Sequence, residues 1–136
     1  MIRISHIDHV VLRVVNIDAM IGFYCVALGC AVERGNDDIG MVQLRAGSCL
    51  LDLVPVDGKL GSMGGAAPGV QGRNMDHLCF RIEHVDEPAI RSHLEACGVR
   101  AGAAELRYGA EGTGPSIYLA DPEGNVIELK GPADGD

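Results

Sequence analysis

The sequence predicts an α+β fold made of two βαβββ modules. The first observation is an internal repeat: Ile7–Val14 reads IDHVVLRV and Met75–Ile82 reads MDHLCFRI, so Asp, His and Arg recur 68 residues apart. The second is that both copies continue through a helical stretch to a glycine. The third is that both end in an apolar strand that carries a carboxylate, Asp52 in the first copy and Glu128 in the second. A repeat of this length indicates two copies of one supersecondary unit.

The first module begins with a strand over Ile7–Val14, whose alternation places His9 and its i+2 neighbours on one face. Asp18 is the predicted N-cap of a helix from Ala19 to about Leu28. Gly29 is expected to end that helix in the left-handed conformation. Three short strands are predicted near Ala31–Arg34, Gly40–Arg45 and Ser48–Val54.

The second module repeats this order, with a strand over Met75–Ile82 and a helix that Asp86 caps and Gly98 ends. Its remaining strands are expected near Arg100–Ala103, Ser116–Ala120 and Asn125–Lys130. Asp121–Asn125 has the Pro and Gly of a hairpin turn. Tyr108–Pro115 is rich in glycine, so we expect a flexible loop able to fold over a ligand rather than a strand.

Residues 57–72 form a linker in which six of sixteen residues are glycine, too many for a regular element. Its length suits either a passive tether or a loop lying over a site. We therefore expect one domain, residues 1–136, made of two repeats (about 4–56 and 73–132) and this linker.

Composition excludes several classes of function. A net charge of −8 argues against nucleic acids and anionic membranes as partners. No apolar run approaches the roughly 20 residues of a membrane span, and the N-terminus lacks the pattern of a signal peptide. The five cysteines are odd in number and have no CxxC spacing, so we expect reduced thiols and a cytoplasmic protein.

Two such modules, each with an early His and a late carboxylate, resemble the vicinal oxygen chelate superfamily. This superfamily includes glyoxalase I, fosfomycin-resistance thiol transferases, methylmalonyl-CoA epimerase, extradiol dioxygenases and bleomycin-resistance proteins. The resemblance spans about residues 4–132. It is carried by Asp8-His9, Phe23-Tyr24 with Leu28-Gly29, Asp76-His77, and the segment from Ser116 to Leu129.

The resemblance implies that each module curls into half of an open, cup-shaped mixed sheet and that the protein is a homodimer. It also implies one divalent metal ion, held by His9, Asp52, His77 and Glu128. Nitrogen and carboxylate ligands suit Ni, Zn, Mn, Fe or Co. The other histidines, His6, His84 and His93, lack this context.

Asp52 leaves the ligand set open. Glyoxalase-like members usually carry Glu at this position, and Asp is one methylene shorter. If Asp52 reaches the metal, the site has four protein ligands. If it does not, His9, His77 and Glu128 form a two-His-one-carboxylate triad, as in non-haem iron enzymes.

The function that the resemblance implies is a glyoxalase-like lyase or isomerase that chelates two adjacent oxygens of a small substrate and stabilises an enediolate. The substrate would be a 2-oxoaldehyde–thiol adduct or an oxo or hydroxy acid. Glu128 is the expected base, with Asp52 facing it. Arg13, Arg73 and Arg81 are the expected contacts of an anionic substrate. The alternatives are a facial-triad dioxygenase or fosfomycin-type thiol transferase, and a non-catalytic protein that sequesters a ligand.

Overall fold

The computed structural model describes residues 1–134, and these form two compact units. The first unit is Met1–Asn74 and the second begins at Met75. The domain range expected from the sequence, 1–136, extends two residues beyond the part that the structure describes. Neither α-helix of residues 1–134 has the length and apolar character needed to cross a bilayer.

The first unit contains a β-strand, a short helix and three more strands, as the repeat predicts. Its elements are β1 (His9–Val14), α1 (Ile17–Gly22) with a π-helical continuation (Phe23–Ala27), β2 (Ala31–Asn36), β3 (Met41–Ala46) and β4 (Cys49–Pro55). A 3-10 turn at Gly61–Gly64 interrupts the linker, which the sequence predicted to be irregular throughout.

The second unit has the same order of elements. They are β5 (His77–Arg81), α2 (Glu87–Ala96), β6 (Glu105–Gly109), β7 (Gly112–Ala120) and β8 (Val126–Lys130). The turn at Asp121–Asn125 forms as predicted, with the Gly124 amide donating to the Asp121 carbonyl and Gly124 at φ +83°.

Each unit carries one open, four-stranded mixed sheet. The strand order is β1-β4-β3-β2 in the first and β5-β8-β7-β6 in the second. In both sheets the first and last strands of the unit pair in parallel and the other pairs are antiparallel. The α+β fold class with two βαβββ modules, predicted from the repeat, is therefore confirmed.

Alternation along the strands gives each sheet one apolar and one polar face. In the first unit Leu12, Val14 and Leu53 are at most 1% exposed, while His9 and its i+2 neighbours face the other way. The second unit buries an aliphatic set made of Leu94, Ile117, Leu119, Ile127 and Leu129. Burial of these side chains is the main source of stability, and it leaves the polar faces available for a site.

The helix in the first unit begins earlier than predicted. Its N-cap is Asn16, whose side chain accepts from the Ala19 amide, so the prediction of Asp18 was wrong. Asp18 instead lies in the first turn, where a negative charge favours the helix dipole. The wider π-helical turn buries both Phe23 and Tyr24, whose rings meet edge to face at 5.0 Å. Gly29 follows at φ +74°, as predicted.

The predicted strand at Arg100–Ala103 is wrong, because the strand lies further on, at Glu105–Gly109. The expected loop at Tyr108–Pro115 is also wrong for most of its length: Gly109 pairs with Gly112 and the two strands form a tight hairpin. Gly112, at φ +113°, provides the turn conformation. The glycines that suggested flexibility thus form a turn.

Candidate functional site

The polar face of the second sheet gathers side chains from three adjacent strands. Register pairs Cys79 of β5 with Glu128 of β8, and Glu128 with Tyr118 of β7. His77 and Ser116 lie two residues from these positions, and therefore on the same face. Because alternate side chains of a strand point to the same face, an imidazole, a carboxylate, a thiol and two hydroxyls lie together on this face of the sheet.

His77 and Glu128 are in direct contact. The Nε2 atom of His77 lies 3.2 Å from Oε2 of Glu128. The His77 side chain is 38% exposed, whereas Glu128 is only 5% exposed. A partly exposed histidine therefore contacts a carboxylate that is almost fully buried.

The other groups around Glu128 keep it ionised. Burial alone would raise the pKa of Glu128, but hydrogen bonds from Ser116 and Tyr118 and the charge of His77 outweigh it and hold the pKa below its usual value. Ser116 donates to Oε1 at 2.6 Å. Glu128 is thus a buried carboxylate whose two oxygens have separate partners.

An aspartate directly before each histidine orients its ring. Asp76 lies 2.6 Å from Nδ1 of His77, and Asp8 lies 2.7 Å from Nδ1 of His9. In each case the hydrogen bond to this aspartate is the main reason that the pKa of the histidine is raised. A carboxylate on Nδ1 makes Nε2 the nitrogen that faces away from the aspartate, the usual arrangement around metal-ligating histidines.

The first unit holds the counterparts of this pair in a looser arrangement. Asp52 is 3% exposed and accepts from the Gln43 amide at 3.2 and 3.3 Å. Within residues 1–134, no ion pair closer than 4.0 Å links His9 to Asp52, although the charge of Asp52 contributes to the raised pKa of His9. The shorter side chain of Asp52 explains this difference from Glu128, because the strand register is the same in both units.

Arg13 makes contacts within the first unit that the sequence did not indicate. Its guanidinium donates to the carbonyls of Gly61, Gly65 and Ala66 at 2.7–3.1 Å. A Cβ on Gly64 would lie 2.5 Å from Arg13 Nε, so any larger residue there would force the guanidinium to shift. Arg13 therefore fastens the linker to β1, and its expected contact with substrate stays a prediction.

The other two predicted arginines lie in different settings. Arg73 is exposed near the end of the linker, and its role also stays a prediction. Arg81 donates through Nε and Nη2 to both oxygens of Glu111, at 3.1 and 3.2 Å. The guanidinium of Arg81 thus already holds a carboxylate in a two-pronged geometry.

A cavity of about 350 Å³ lies against the polar face of the second sheet. Its walls include His77, Cys79, Arg81, Glu111, Glu128 and Lys130. Burial, followed by the charge of Glu128, raises the pKa of the Cys79 thiol to about 11. At neutral pH this favours the protonated thiol, which is the less reactive form.

Sequence reasoning missed Ser116, Tyr118, Glu111 and Lys130. The signal for the first two was present, since alternation from Ser116 to Tyr118 places both on the face that Glu128 occupies once β7 and β8 are paired. Lys130 lies two residues after Glu128 on β8, so alternation places it on the same face. Glu111 was hidden because its segment was expected to be a loop.

Comparison with known proteins now identifies the family. A sequence model of the Glyoxalase/Bleomycin resistance protein/Dioxygenase superfamily matches residues 6–129. The chain belongs to this superfamily. The resemblance inferred from the paired Asp-His motifs and the Glu128 strand is thereby confirmed.

Three solved structures place the chain within the superfamily fold. Virulence protein STM3117 from Salmonella typhimurium is 26% identical, with 97% of this chain and 100% of that chain covered and a TM-score of 0.77. Integron cassette protein VCH_CASS1 from V. cholerae is 28% identical over 96% and 98%, with a TM-score of 0.75. Lactoylglutathione lyase from Agrobacterium tumefaciens is 21% identical over 93% of both chains, with a TM-score of 0.67. At that identity the lyase shows the shared fold alone.

The superfamily includes enzymes, and its members commonly use a divalent metal. Among residues 1–134, no group of three or more His, Cys, Asp or Glu is assembled around a common point. The chemistry of the pairs nevertheless fits: His77 offers an oriented Nε2 and Glu128 a buried, ionised oxygen. Each unit thus carries one imidazole and one carboxylate suited to a divalent ion.

Proposed function

We propose that the protein is a divalent-metal-dependent lyase or isomerase of the glyoxalase type. The observation that carries this proposal is the contact between His77 Nε2 and Glu128 Oε2 at 3.2 Å, with Asp76 fixing the opposite side of the ring. A buried carboxylate next to an oriented imidazole is costly to keep unless it serves a function or is fully paired.

The proposed ligands are His77 and Glu128 from the second unit and His9 and Asp52 from the first. The metal is Ni, Zn, Mn, Fe or Co, all of which accept nitrogen and oxygen ligands. When bound, such an ion polarises two adjacent oxygens of the substrate and stabilises the negative charge that develops on them. The equivalent hydrogen bonds of Asp8 to His9 and Asp76 to His77 support both histidines as ligands.

Glu128 is the proposed base. Its lowered pKa keeps it ionised at neutral pH and ready to accept the proton from the carbon between the two substrate oxygens. Ser116 holds Oε1, so Oε2, which lies 3.2 Å from His77 Nε2, is the proposed acceptor of this proton. Asp52, buried and held by Gln43, is the proposed second carboxylate. General-base catalysis of this kind contributes about 10²–10⁴ in rate.

The proposed substrate is small: a 2-oxoaldehyde–thiol adduct or an oxo or hydroxy acid. The cavity of about 350 Å³ supports this size, because small-molecule sites begin at roughly 300 Å³. Arg81 lines the cavity and is the proposed contact for an anionic group. Arg13 and Arg73 are proposed as further contacts, on the basis of the family pattern.

A cytoplasmic homodimer is the proposed assembly. The family pattern supports it, and so do Ile2, Ile4 and Ile7, which are at least 67% exposed ahead of β1. A second chain that covered these side chains would remove apolar surface from water. Light scattering coupled to size-exclusion chromatography tests the assembly: two chains per particle are expected, and one chain contradicts the proposal.

The test of activity uses hemithioacetals made from methylglyoxal and several thiols, with Ni, Zn, Mn, Fe or Co added to metal-stripped protein. Formation of the 2-hydroxy thioester is the expected result. Glu128→Gln should lower the rate at least about 100-fold, since it removes the base. Glu123→Gln, an exchange in the nearby turn, is the matched control and should keep the activity. Equal rates in both variants would overturn the assignment of the base.

The second candidate is a facial-triad enzyme that uses His9, His77 and Glu128 without Asp52. The observation that favours it is the looser setting of Asp52, which pairs with Gln43 rather than with His9. Oxygen consumption with iron-loaded protein would support a dioxygenase, and thiol addition to an epoxide would support a fosfomycin-type transferase. Stoichiometric ligand binding without turnover would support a sequestering protein instead.

A further inference from the structure

We propose that Lys130 and Arg81 form an anion subsite in the cavity of the second unit, and that Glu111 occupies it when no substrate is bound. The ligand is the carboxylate of a small anionic substrate. This inference rests on the function proposed above, because the subsite would bind the end of the substrate that lies away from the reacting carbon. It adds one positively charged residue and one internal competitor to that site.

The first observation is the position of Lys130. It is only 6% exposed, and its ammonium donates to the carbonyls of Arg107 and Gly114. Its alkyl chain passes so close to Gly109 that a Cβ there would lie 2.6 Å from the Lys130 chain. The Lys130 side chain therefore packs directly against the backbone of the hairpin.

The buried ammonium of Lys130 is stabilised by the dipoles of two backbone carbonyl groups. In the part of the chain that the structure describes, no carboxylate lies within 4.0 Å of its ammonium. Burial of an ammonium is costly unless an opposite charge or several hydrogen bonds compensate for it. Because Lys130 also lines the cavity, an anion that enters there would supply the missing charge.

The second observation is the pair formed by Arg81 and Glu111. Register places Arg81 of β5 opposite Lys130 of β8, so the two cations are neighbours on adjacent strands. Both oxygens of Glu111 accept from Arg81, at 3.1 and 3.2 Å. Glu111 therefore shows, within the chain itself, how a carboxylate binds at this position.

A ligand could displace the Glu111 carboxylate from Arg81 at little energetic cost. Its side chain is 55% exposed, and exposed ion pairs are worth only about 0.2–1 kcal/mol. It lies in the two-residue turn between Gly109 and Gly112, the second of which has φ +113°. Substrate carboxylate and the Glu111 carboxylate would thus compete for Arg81, and the turn would move when Glu111 is displaced.

The spacing along β8 narrows the class of substrate. Lys130 and Glu128 are two residues apart on one face, which corresponds to roughly 6.5–7 Å along a strand. A substrate with its reacting carbon at Glu128 would therefore need a separate anionic group to reach Lys130 and Arg81. This favours a small acid or an acidic thiol adduct over a neutral ligand.

The test is an NMR titration of the full-length, metal-stripped protein with butyrate and with butyramide, which have the same shape and differ in charge. Butyrate should cause saturable shifts at the amides of Gly109, Gly112 and Gly131, and butyramide should not. Equal shifts with both probes, or none with butyrate, would overturn the proposal. Since no metal is present, this result is independent of whether the protein proves to be a metalloenzyme.

Variants test the roles of the individual residues. Arg81→Gln should weaken butyrate binding at least about tenfold, the scale of a hydrogen bond to a charged group. Glu111→Gln should strengthen it roughly two- to fivefold, because the internal competitor is lost. Glu33→Gln, which removes the equivalent partner of Arg45 in the first unit, is the matched control and should change nothing. Weaker binding in Glu111→Gln would contradict its role as a competitor.

Lys130→Gln tests the buried charge, with circular dichroism as a check of folding. A folded variant should lose at least about tenfold in butyrate affinity, and unchanged affinity would remove Lys130 from the subsite. Should the variant not fold, the opposite effects of Arg81→Gln and Glu111→Gln still decide whether the subsite exists.

Discussion

The Ser116 hydroxyl donates a 2.6 Å hydrogen bond to Oε1 of Glu128 in the interior of the second unit. This bond leaves Oε2 for His77, at 3.2 Å. Hydrogen bonds from Ser116 and Tyr118 and the charge of His77 together outweigh burial, so a carboxylate that is 5% exposed stays ionised. The proposed chemistry depends on this arrangement.

Ser116→Ala should lower both stability and metal affinity. The loss of a donor to a buried carboxylate should lower the free energy of unfolding by about 1–3 kcal/mol. Metal affinity should fall roughly 10- to 100-fold, as it does when other outer partners of metal ligands are lost. Urea unfolding and competition with a metal indicator measure the two effects. Ser62→Ala, which removes an exposed bond to the Lys59 carbonyl, is the control, and an equal loss there would contradict the prediction.

Leu94→Ala should destabilise the second unit. Leu94 is 1% exposed on α2, and deletion of such a side chain costs about 2–5 kcal/mol because it leaves a cavity. Leu106→Ala is the matched exchange at a side chain that is 60% exposed, and it should change the free energy of unfolding by less than about 0.5 kcal/mol. Similar losses in the two variants, measured by urea unfolding, would contradict this packing.

Asn16→Ala should destabilise the first helix more than Asp18→Ala does. The Asn16 side chain accepts from the Ala19 amide, and loss of such a cap costs about 0.5–2 kcal/mol. Asp18 interacts with the helix dipole from the first turn, which is worth less than a cap, so its removal should cost less. Thermal unfolding of both variants checks the order, and the reverse order would restore Asp18 as the cap.

The alkylation rate of Cys30 should depend steeply on pH. Burial, with a smaller contribution from Cys25, raises the pKa of the Cys30 thiol to about 11. Because only the thiolate reacts, the rate at pH 8 should be roughly 100-fold below that of an ordinary thiol and rise about tenfold per pH unit. Peptide mass spectrometry after timed iodoacetamide treatment measures this rate. A rate that levels off below pH 9 would contradict the buried setting.

The fold could be predicted from the sequence because its main signals are local. The Asp-His-Arg repeat and the alternation around it identified β1 and β5, and Gly29 and Gly98 ended the helices at φ +74° as expected. Asp86 caps α2 as predicted, since its carboxylate accepts from the Ala89 amide.

The errors arose where tertiary pairing decides the structure. Gly109 and Gly112 suggested a loop, yet strand pairing turns them into a hairpin. The roles of Ser116 and Lys130 depend on which strand lies beside β8, which the sequence does not state. The reach of Asp52 was likewise open, because one methylene decides whether a carboxylate meets its neighbouring histidine.

The proposed metal site is tested most directly by the metal content per chain, measured by elemental mass spectrometry on tag-free protein loaded with each candidate ion. About one equivalent is expected in the unmodified protein and in His84→Ala, and less than about a tenth of that in His77→Ala. Asp52→Ala, run alongside, separates four ligands from three. Equal metal content in His77→Ala and His84→Ala, or none in the unmodified protein, would contradict a metal site at His77.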